Sequence, residues 1–126
     1  ICVGFQLLFE RSYENGVHEG LGIFSGEIKK FTDKNLKIPH MGWNQLNIVN
    51  DQNGYFKNIE NDSYTYFVHS YYANSKDKNI VSSTTNYGLD FVSTIQAPNL
   101  LATQYHPEKS GDISINLLKN FLKKIL

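Results

Sequence analysis

Residues that could carry out thiol chemistry stand near both ends of the chain. The only cysteine, Cys2, precedes Gly4 and a run that begins with Gln6 and is typical of a short helix. A nucleophile elbow has this pattern, because its tight strand-to-helix turn needs small neighbours and pushes the nucleophile clear of the sheet. A helix starting here would favour the thiolate, and the backbone N–H of Val3 would lie where an oxyanion forms. The alternative is a cysteine that acts only as a small buried apolar residue.

The second part of the pattern is the tripeptide His106-Pro107-Glu108. Residues two apart in an extended segment share a face, so Glu108 can orient the His106 ring and stabilise its imidazolium form. A cysteine, a histidine and a carboxylate supply the nucleophile, proton carrier and orienting anion of thiol acyl transfer. The alternative is a polar turn after a strand. The sequence therefore predicts Cys2, His106 and Glu108 as catalytic residues.

A sheet-rich scaffold must bring these two ends together. The residue pattern predicts a short helix from Gln6 to Arg11, and then two short strands within 21–31 separated by a turn at Ser25-Gly26. The β-branched and aromatic run 64–72 predicts one long strand. Further strands are expected at 80–85, 91–96 and 100–105, with a turn around Tyr87-Gly88.

The last part of the chain has the apolar spacing of a helix. Asp112 or Ser114 is the expected N-cap of this helix. Its predicted apolar face consists of Ile115, Leu118, Phe121, Leu122, Ile125 and Leu126. The sequence thus predicts a single domain over residues 1–126, with sheet elements between two helices.

Composition excludes several classes of function. The chain has 126 residues, with Lys+Arg 12 against Asp+Glu 12 and no basic run, so a nucleic-acid partner is not expected. No apolar stretch is long enough to predict a membrane span. One cysteine makes no internal disulfide, which indicates a reducing, cytoplasmic location. His18, His40 and His69 lack the spacing of a zinc site, so no metal is expected.

Several motifs, in order along the chain, resemble the class I (triad) glutamine amidotransferases. The resemblance is narrower still to the branch formed by the glutaminase subunits of imidazole glycerol phosphate synthases. It rests on the elbow segment 2–10, Gly-Leu-Gly-Ile-Phe at 20–24, Pro-His-Met-Gly-Trp-Asn at 39–44, Tyr-Phe-Val-His-Ser-Tyr-Tyr at 66–72, Tyr-Gly at 87–88 and His-Pro-Glu-Lys-Ser at 106–110.

The resemblance implies an α/β, flavodoxin-like fold, in which helices flank a central mixed sheet. It implies hydrolysis of glutamine to glutamate and ammonia through a thioester on Cys2, without a cofactor. Gln6, Glu14 and the backbone at Ser70 and Tyr71 would bind the glutamine. The resemblance also implies a (β/α)8-barrel synthase subunit as partner, which uses the ammonia to form imidazole glycerol phosphate. The positions that match the partner-facing side of the family are Met41, Trp43, Tyr66 and Lys109.

The sequence departs from the family pattern in two ways. Val3 and Phe5 replace a leucine and a methionine, which are conservative packing changes. The glycine and Gly-rich loop that precede the elbow in the family are not in this sequence. We therefore expect an N-terminally incomplete domain that exposes apolar sheet edges, is prone to instability and is inactive by itself.

Three other functions fit parts of the pattern. The same glutaminase chemistry could serve amidation of a surface sugar, and neighbouring genes would distinguish that acceptor. A second possibility is a subunit that binds the partner without turnover, although all three triad residue types are present. A third, a cysteine peptidase of similar topology, is weakened because Gln6 and the segment 66–71 match glutamine recognition in the family.

Overall fold

The computed structural model describes all residues from Ile1 to Leu126 as ten strands and two α-helices. The helices are α1 (Val3–Gln6) and α2 (Gly111–Ile125), and a 3-10 turn at Pro107–Lys109 precedes α2. The strands are β1 (Phe9–Ser12), β2 (His18–Glu19), β3 (Phe24–Lys30), β4 (His40–Gln45), β5 (Asn47–Ile48), β6 (Tyr64–His69), β7 (Tyr71–Ser75), β8 (Val81–Asn86), β9 (Asp90–Ala97) and β10 (Leu100–Thr103). Neither helix has the length and hydrophobicity needed to cross a bilayer.

The strands form three sheets. The first has the order β2-β1-β3-β7 and is mixed, because β1 and β3 run parallel while the other pairs are antiparallel. The second, with order β10-β9-β8-β5, is antiparallel throughout, and β4 pairs with β6 in a two-stranded third sheet. The mixed α/β class expected from the sequence is confirmed.

Two apolar clusters hold these sheets together. The first contains Phe5 of α1 and Phe9 of β1, whose rings meet edge to face with centroids 5.7 Å apart, and it extends to β9 and β10 through Ile95 and Ala102. The second is built around Phe67 of β6, Phe91, Tyr105 and Leu117 of α2. Since Phe5 is fully buried, the first cluster anchors the turn that carries Cys2.

Several local predictions were wrong. The helix expected from Gln6 to Arg11 ends near Leu7, and the chain then enters β1, because Phe9 is fully buried and pairs with Phe24 of β3. The two strands expected in 21–31 are one strand, β3, which passes through Ser25-Gly26 without a turn. At Gly26 the backbone of β7 approaches so closely that only glycine fits, which explains a residue that otherwise suggests a turn.

The long strand predicted at 64–72 is divided at Ser70. Residues before Ser70 pair with β4 in the third sheet, and residues after it pair with β3 in the first. Propensity alone does not reveal this change of sheet, because both halves are aromatic and β-branched. The strands expected at 80–85, 91–96 and 100–105 are confirmed as β8, β9 and β10 within one or two residues.

The terminal helix is confirmed, but its cap and its buried face differ from the prediction. Ser110, rather than Asp112 or Ser114, is the N-cap residue, and α2 starts at Gly111. The buried positions of α2 are Ser114 and Leu117. Four members of the predicted apolar face are exposed on this chain, namely Ile115, Leu122, Ile125 and Leu126.

Replacing Gly26 by alanine tests the close packing of β3 on β7. A Cβ at Gly26 would lie 2.4 Å from the Asn74 carbonyl oxygen and 3.0 Å from the Ser75 Cα, at a backbone φ of +144°. Because both obstacles are backbone atoms, we expect the free energy of unfolding to fall by at least about 2 kcal/mol. Urea denaturation of Gly26→Ala measures this fall. Gly4→Ala is the control, since its Cβ would meet nothing within 4 Å; equal effects of the two substitutions would contradict the packing argument.

Candidate active site

Cys2 lies on a strained turn between β10 and α1. Its backbone adopts φ 52°, ψ −107°, a conformation that costs a non-glycine residue free energy. The turn is held from both sides, because the Cys2 N–H donates to the Thr103 carbonyl at 2.7 Å and the Cys2 carbonyl accepts from the Gln6 N–H at 3.2 Å. A nucleophile elbow has this geometry, with the side chain pushed out of the sheet at the start of a helix.

The expected preference for a thiolate is not found. Burial raises the pKa of the Cys2 thiol above its ordinary value, and the nearby Glu108 charge adds to this effect. The Val3 backbone N–H and the Gln104 side-chain amide lower the same pKa, but they do not overcome the burial. With only four residues, α1 contributes little dipole to offset it. At neutral pH Cys2 is therefore a thiol, and its attack on a substrate requires a base.

His106 and Glu108 form a tight pair. The His106 Nδ1 lies 2.6 Å from the Glu108 Oε1. Partial burial raises the pKa of Glu108, but hydrogen bonds from its own backbone N–H and from His106, together with the His106 charge, bring it below its usual value. Glu108 is thus an anion at neutral pH, and it occupies Nδ1. The Nε2 atom is left as the ring nitrogen that can exchange a proton.

One edge of β6 brings the two ends of the chain together. The Tyr66 carbonyl accepts the His106 N–H at 3.0 Å, and the Val68 carbonyl lies 4.0 Å from the Cys2 Sγ. Carbonyls two residues apart in a strand point the same way and are separated by about 7 Å. His106 is tied a second time, since Ser110 Oγ donates to its carbonyl at 2.6 Å and accepts the Tyr66 N–H at 2.9 Å. The sulfur and the histidine therefore lie along the same strand edge.

A cavity of about 230 Å³ opens beside Cys2. All the residues predicted to bind substrate line it, together with three that sequence reasoning missed. The predicted ones are Val3, Gln6, Glu14, Ser70 and Tyr71, and the missed ones are Pro39, Val68 and His69. A second cavity of about 290 Å³ continues from it, because both share Val3, Gln6 and Glu14.

The break between β6 and β7 points backbone groups into this cavity. The Phe31 N–H donates to the Ser70 carbonyl at 3.2 Å, which makes these two a hydrogen-bonded pair of the β3–β7 ladder. The next pair, Lys30 and Tyr71, is consequently a pair without mutual hydrogen bonds. The N–H and C=O of Tyr71 therefore point away from β3, towards α1 and the cavity.

Residues 1–125 match the sequence profile of the glutamine amidotransferase class-I family. The chain belongs to this family. The glutamine amidotransferase fold is also seen in a solved structure, a putative GMP synthase protein from Thermoplasma acidophilum, which superimposes with a TM-score of 0.60 at 18% identity. That likeness covers 78% of this chain and 47% of the other, and it concerns the fold alone.

Several curated members of the family are much more similar in sequence. The chain is 51% identical over 124 residues to imidazole glycerol phosphate synthase subunit HisH 1 of Campylobacter jejuni (strain RM1221), covering 98% of this chain and 61% of the relative. It is 49% identical to subunit HisH of Acinetobacter baylyi and 48% identical to that of Methanocaldococcus jannaschii, which cover 98% of this chain and 60% and 61% of those relatives. The chain thus spans about three fifths of the length of these relatives.

The predicted partner-facing residues of this amidotransferase chain lie on the third sheet and next to it. Met41 and Trp43 alternate on β4 and are 57% and 56% exposed. Trp43 pairs with Tyr66 across the sheet, and their rings meet edge to face at 6.0 Å. Lys109 is exposed in the 3-10 turn after His106. We call Met41, Trp43 and Tyr66 the aromatic patch.

The sequence analysis also missed a buried pair of histidines beside the cavity. The His69 Nδ1–H donates to the Tyr71 carbonyl at 2.8 Å, its Nε2 faces the His40 Nδ1 at 2.9 Å, and the His40 Nε2 faces the Asn44 amide at 3.2 Å. Burial lowers the pKa of both rings to about 4, and their mutual repulsion lowers that of His40 further. Both rings are therefore neutral at pH 7. The register of β4 on β6 brings them together, which their spacing of 29 residues does not indicate.

The histidine pair makes this amidotransferase chain sensitive to acid. Between pH 6.5 and about pH 4 the unfolded chain binds protons that the folded rings refuse. The free energy of unfolding therefore falls as the pH drops through this range, by the order of 3 kcal/mol for one ring. His40→Gln should lose less stability over the same range in urea titrations at pH 6.5, 5 and 4. The exposed His18 provides the control, and a His18→Gln slope equal to that of His40→Gln would contradict the assignment.

Proposed function

We propose that the chain carries the glutaminase site of an imidazole glycerol phosphate synthase, which hydrolyses glutamine to glutamate and ammonia. The single observation that supports this most directly is the His106–Glu108 pair on the same strand edge as the Cys2 sulfur. Membership of the amidotransferase family and identities near 50% to curated HisH subunits support the same activity.

The proposed reaction begins with transfer of the Cys2 thiol proton to His106 Nε2. The sulfur then attacks the side-chain carbonyl carbon of glutamine, and the Val3 N–H stabilises the resulting oxyanion. His106 returns the proton to the leaving nitrogen, so ammonia departs and a thioester remains on Cys2. Water, deprotonated by His106, hydrolyses the thioester to glutamate. Glu108 holds the ring in position and stabilises its charge through both steps, completing a catalytic triad.

The groups around the cavity suit the amino-acid end of glutamine. The Tyr71 N–H points into the cavity, where it can donate to the α-carboxylate. The Nε2 of Gln6 is occupied by the Tyr71 carbonyl and Gln104, which leaves its Oε1 to accept from the α-ammonium group. Glu14 adds a negative charge at the junction of the two cavities. A zwitterionic substrate is matched by these groups, whereas the site of a peptidase must accept a chain continuing at both ends.

The decisive experiment measures ammonia release from glutamine by the full gene product, with and without the synthase subunit. Cys2→Ser should lower kcat by at least about a thousandfold, because an alcohol is a far weaker nucleophile than a thiol beside the same base. A glutamine-mimicking electrophile should label Cys2 and protect it from alkylation. Turnover that persists in Cys2→Ser, or a complex that releases no ammonia, would disprove the glutaminase proposal and favour a subunit that only binds its partner.

We also propose that the aromatic patch docks on a (β/α)8-barrel synthase subunit. That partner would take up the ammonia for the synthase (lyase) step that forms imidazole glycerol phosphate in histidine biosynthesis. The relatives are named as subunits, which supports an obligatory partner, and an exposed tryptophan beside a tyrosine is typical of the centre of an interface. The free Cys2 thiol supports a reducing cytoplasmic location.

Trp43→Ala tests the docking surface. We expect the Kd for the synthase subunit to rise at least about tenfold, since truncating a central interface tryptophan removes a large contact area. Isothermal titration with the purified subunit measures this change. The matched control is Lys123→Ala on the exposed side of α2, which should leave the Kd unchanged. Equal affinities of Trp43→Ala and the unsubstituted protein would place the interface elsewhere.

A further inference from the structure

A chain of hydrogen bonds connects the Tyr71 carbonyl to the Cys2 sulfur. The Gln6 Nε2 lies 3.0 Å from the Tyr71 carbonyl oxygen and 2.9 Å from the Gln104 Oε1. The Gln104 Nε2 in turn lies 3.8 Å from the Cys2 Sγ. Gln104 is fully buried and directly follows β10, the strand whose last residue, Thr103, binds the Cys2 N–H.

The direction of every bond in this chain follows from its first member. A backbone carbonyl only accepts hydrogen bonds, so Gln6 must present its NH2 group to Tyr71. That NH2 group also faces Gln104, which must therefore present its oxygen to Gln6. The NH2 group of Gln104 is then the only end of its amide that can face the sulfur. The polarity of the network thus delivers a donor, not an acceptor, to the nucleophile.

The other neighbour of the sulfur has the opposite effect. The Val68 carbonyl, 4.0 Å from Sγ, accepts a hydrogen bond from the thiol but would repel a thiolate. The Gln104 N–H is compatible with both protonation states, because sulfur accepts in each and accepts more strongly when charged. A donor that is already in place needs no rearrangement when His106 removes the proton.

We propose that Gln104 is a positioning residue, which holds the Cys2 sulfur for attack and locks the amide of Gln6 in the orientation that leaves Oε1 facing the cavity. This inference rests on the proposed glutaminase function and deepens it. One buried amide would link the nucleophile to the side chain that receives the substrate's amino group. Removal of Gln104 therefore affects both the reactivity of the thiol and the binding of glutamine, and the first effect is measurable without turnover.

The test follows alkylation of Cys2 by iodoacetamide as a function of pH in the full gene product, with the Cys2 peptide quantified by mass spectrometry. Gln104→Met keeps the length of the side chain but supplies no donor. We expect the midpoint of the alkylation profile to rise by about one pH unit, which is a tenfold slower reaction near neutral pH. We also expect a tenfold or larger fall in kcat and a smaller rise in KM for glutamine. The charged groups nearest to the sulfur, Glu108 and the amino group of Ile1, are the same in every variant.

Gln96→Met is the matched control. Gln96 is also a buried glutamine, but its amide binds Asp51 and the Asn53 N–H, away from Cys2. A midpoint that shifts equally in Gln96→Met, or does not shift in Gln104→Met, would overturn the proposal. If Gln104→Met fails to fold by circular dichroism, the side-chain NH2 resonances of Gln104 in the unsubstituted protein replace it. They should move as Cys2 titrates, and constant resonances would overturn the proposal too.

The outcomes separate this inference from the proposed function. A protein that releases ammonia but shows no Gln104 effect on thiol titration retains the glutaminase proposal and loses the positioning role. A protein whose thiol responds to Gln104 but which never hydrolyses glutamine, even with its partner, retains the contact with Cys2 and loses the glutaminase proposal.

Discussion

The Tyr71 carbonyl occupies a central place in the site because it accepts hydrogen bonds from two directions. Gln6 binds it from the side of the nucleophile, and His69 binds it from the side of the aromatic patch. It is free to do so because β7 begins at Tyr71, directly after the chain leaves one sheet for another. A carbonyl inside a continuous ladder would be occupied by the neighbouring strand. The change of sheet at Ser70 thus creates the acceptor on which the surrounding side chains depend.

The same change of sheet links the two proposed surfaces of the molecule. On one side, β4 and β6 carry the aromatic patch outward and the histidine pair inward. On the other, the pair reaches the Tyr71 carbonyl, and through Gln6 it reaches the substrate cavity. Because both rings are neutral at pH 7, the connection consists of directional hydrogen bonds without buried charge. A shift of β4 would therefore be felt at the cavity as a change in hydrogen-bond geometry.

The thiol chemistry reflects a balance between burial and polar neighbours. Burial keeps Cys2 protonated, while the N–H groups of Val3 and Gln104 act in the opposite direction. A protonated resting thiol makes the His106–Glu108 pair essential to the proposed mechanism, since the helix that follows Cys2 is too short to activate it. The sequence suggested helix activation because the elbow motif is usually followed by a longer helix. The observed α1 ends early, because Phe9 is required in the core as part of β1.

The sequence by itself determined the chemical groups and the family, because those depend on residue types and local spacing. Cys2, the His106–Glu108 pair and most strands were predictable, since a two-residue spacing and β-branched runs act locally. Tertiary structure alone decided the division at Ser70, the uninterrupted β3 at Gly26, the buried face of α2 and the meeting of His40 with His69. Each of these depends on which distant segment packs against the residue in question, and a hydrogen bond or contact between segments far apart leaves no periodic trace in either one.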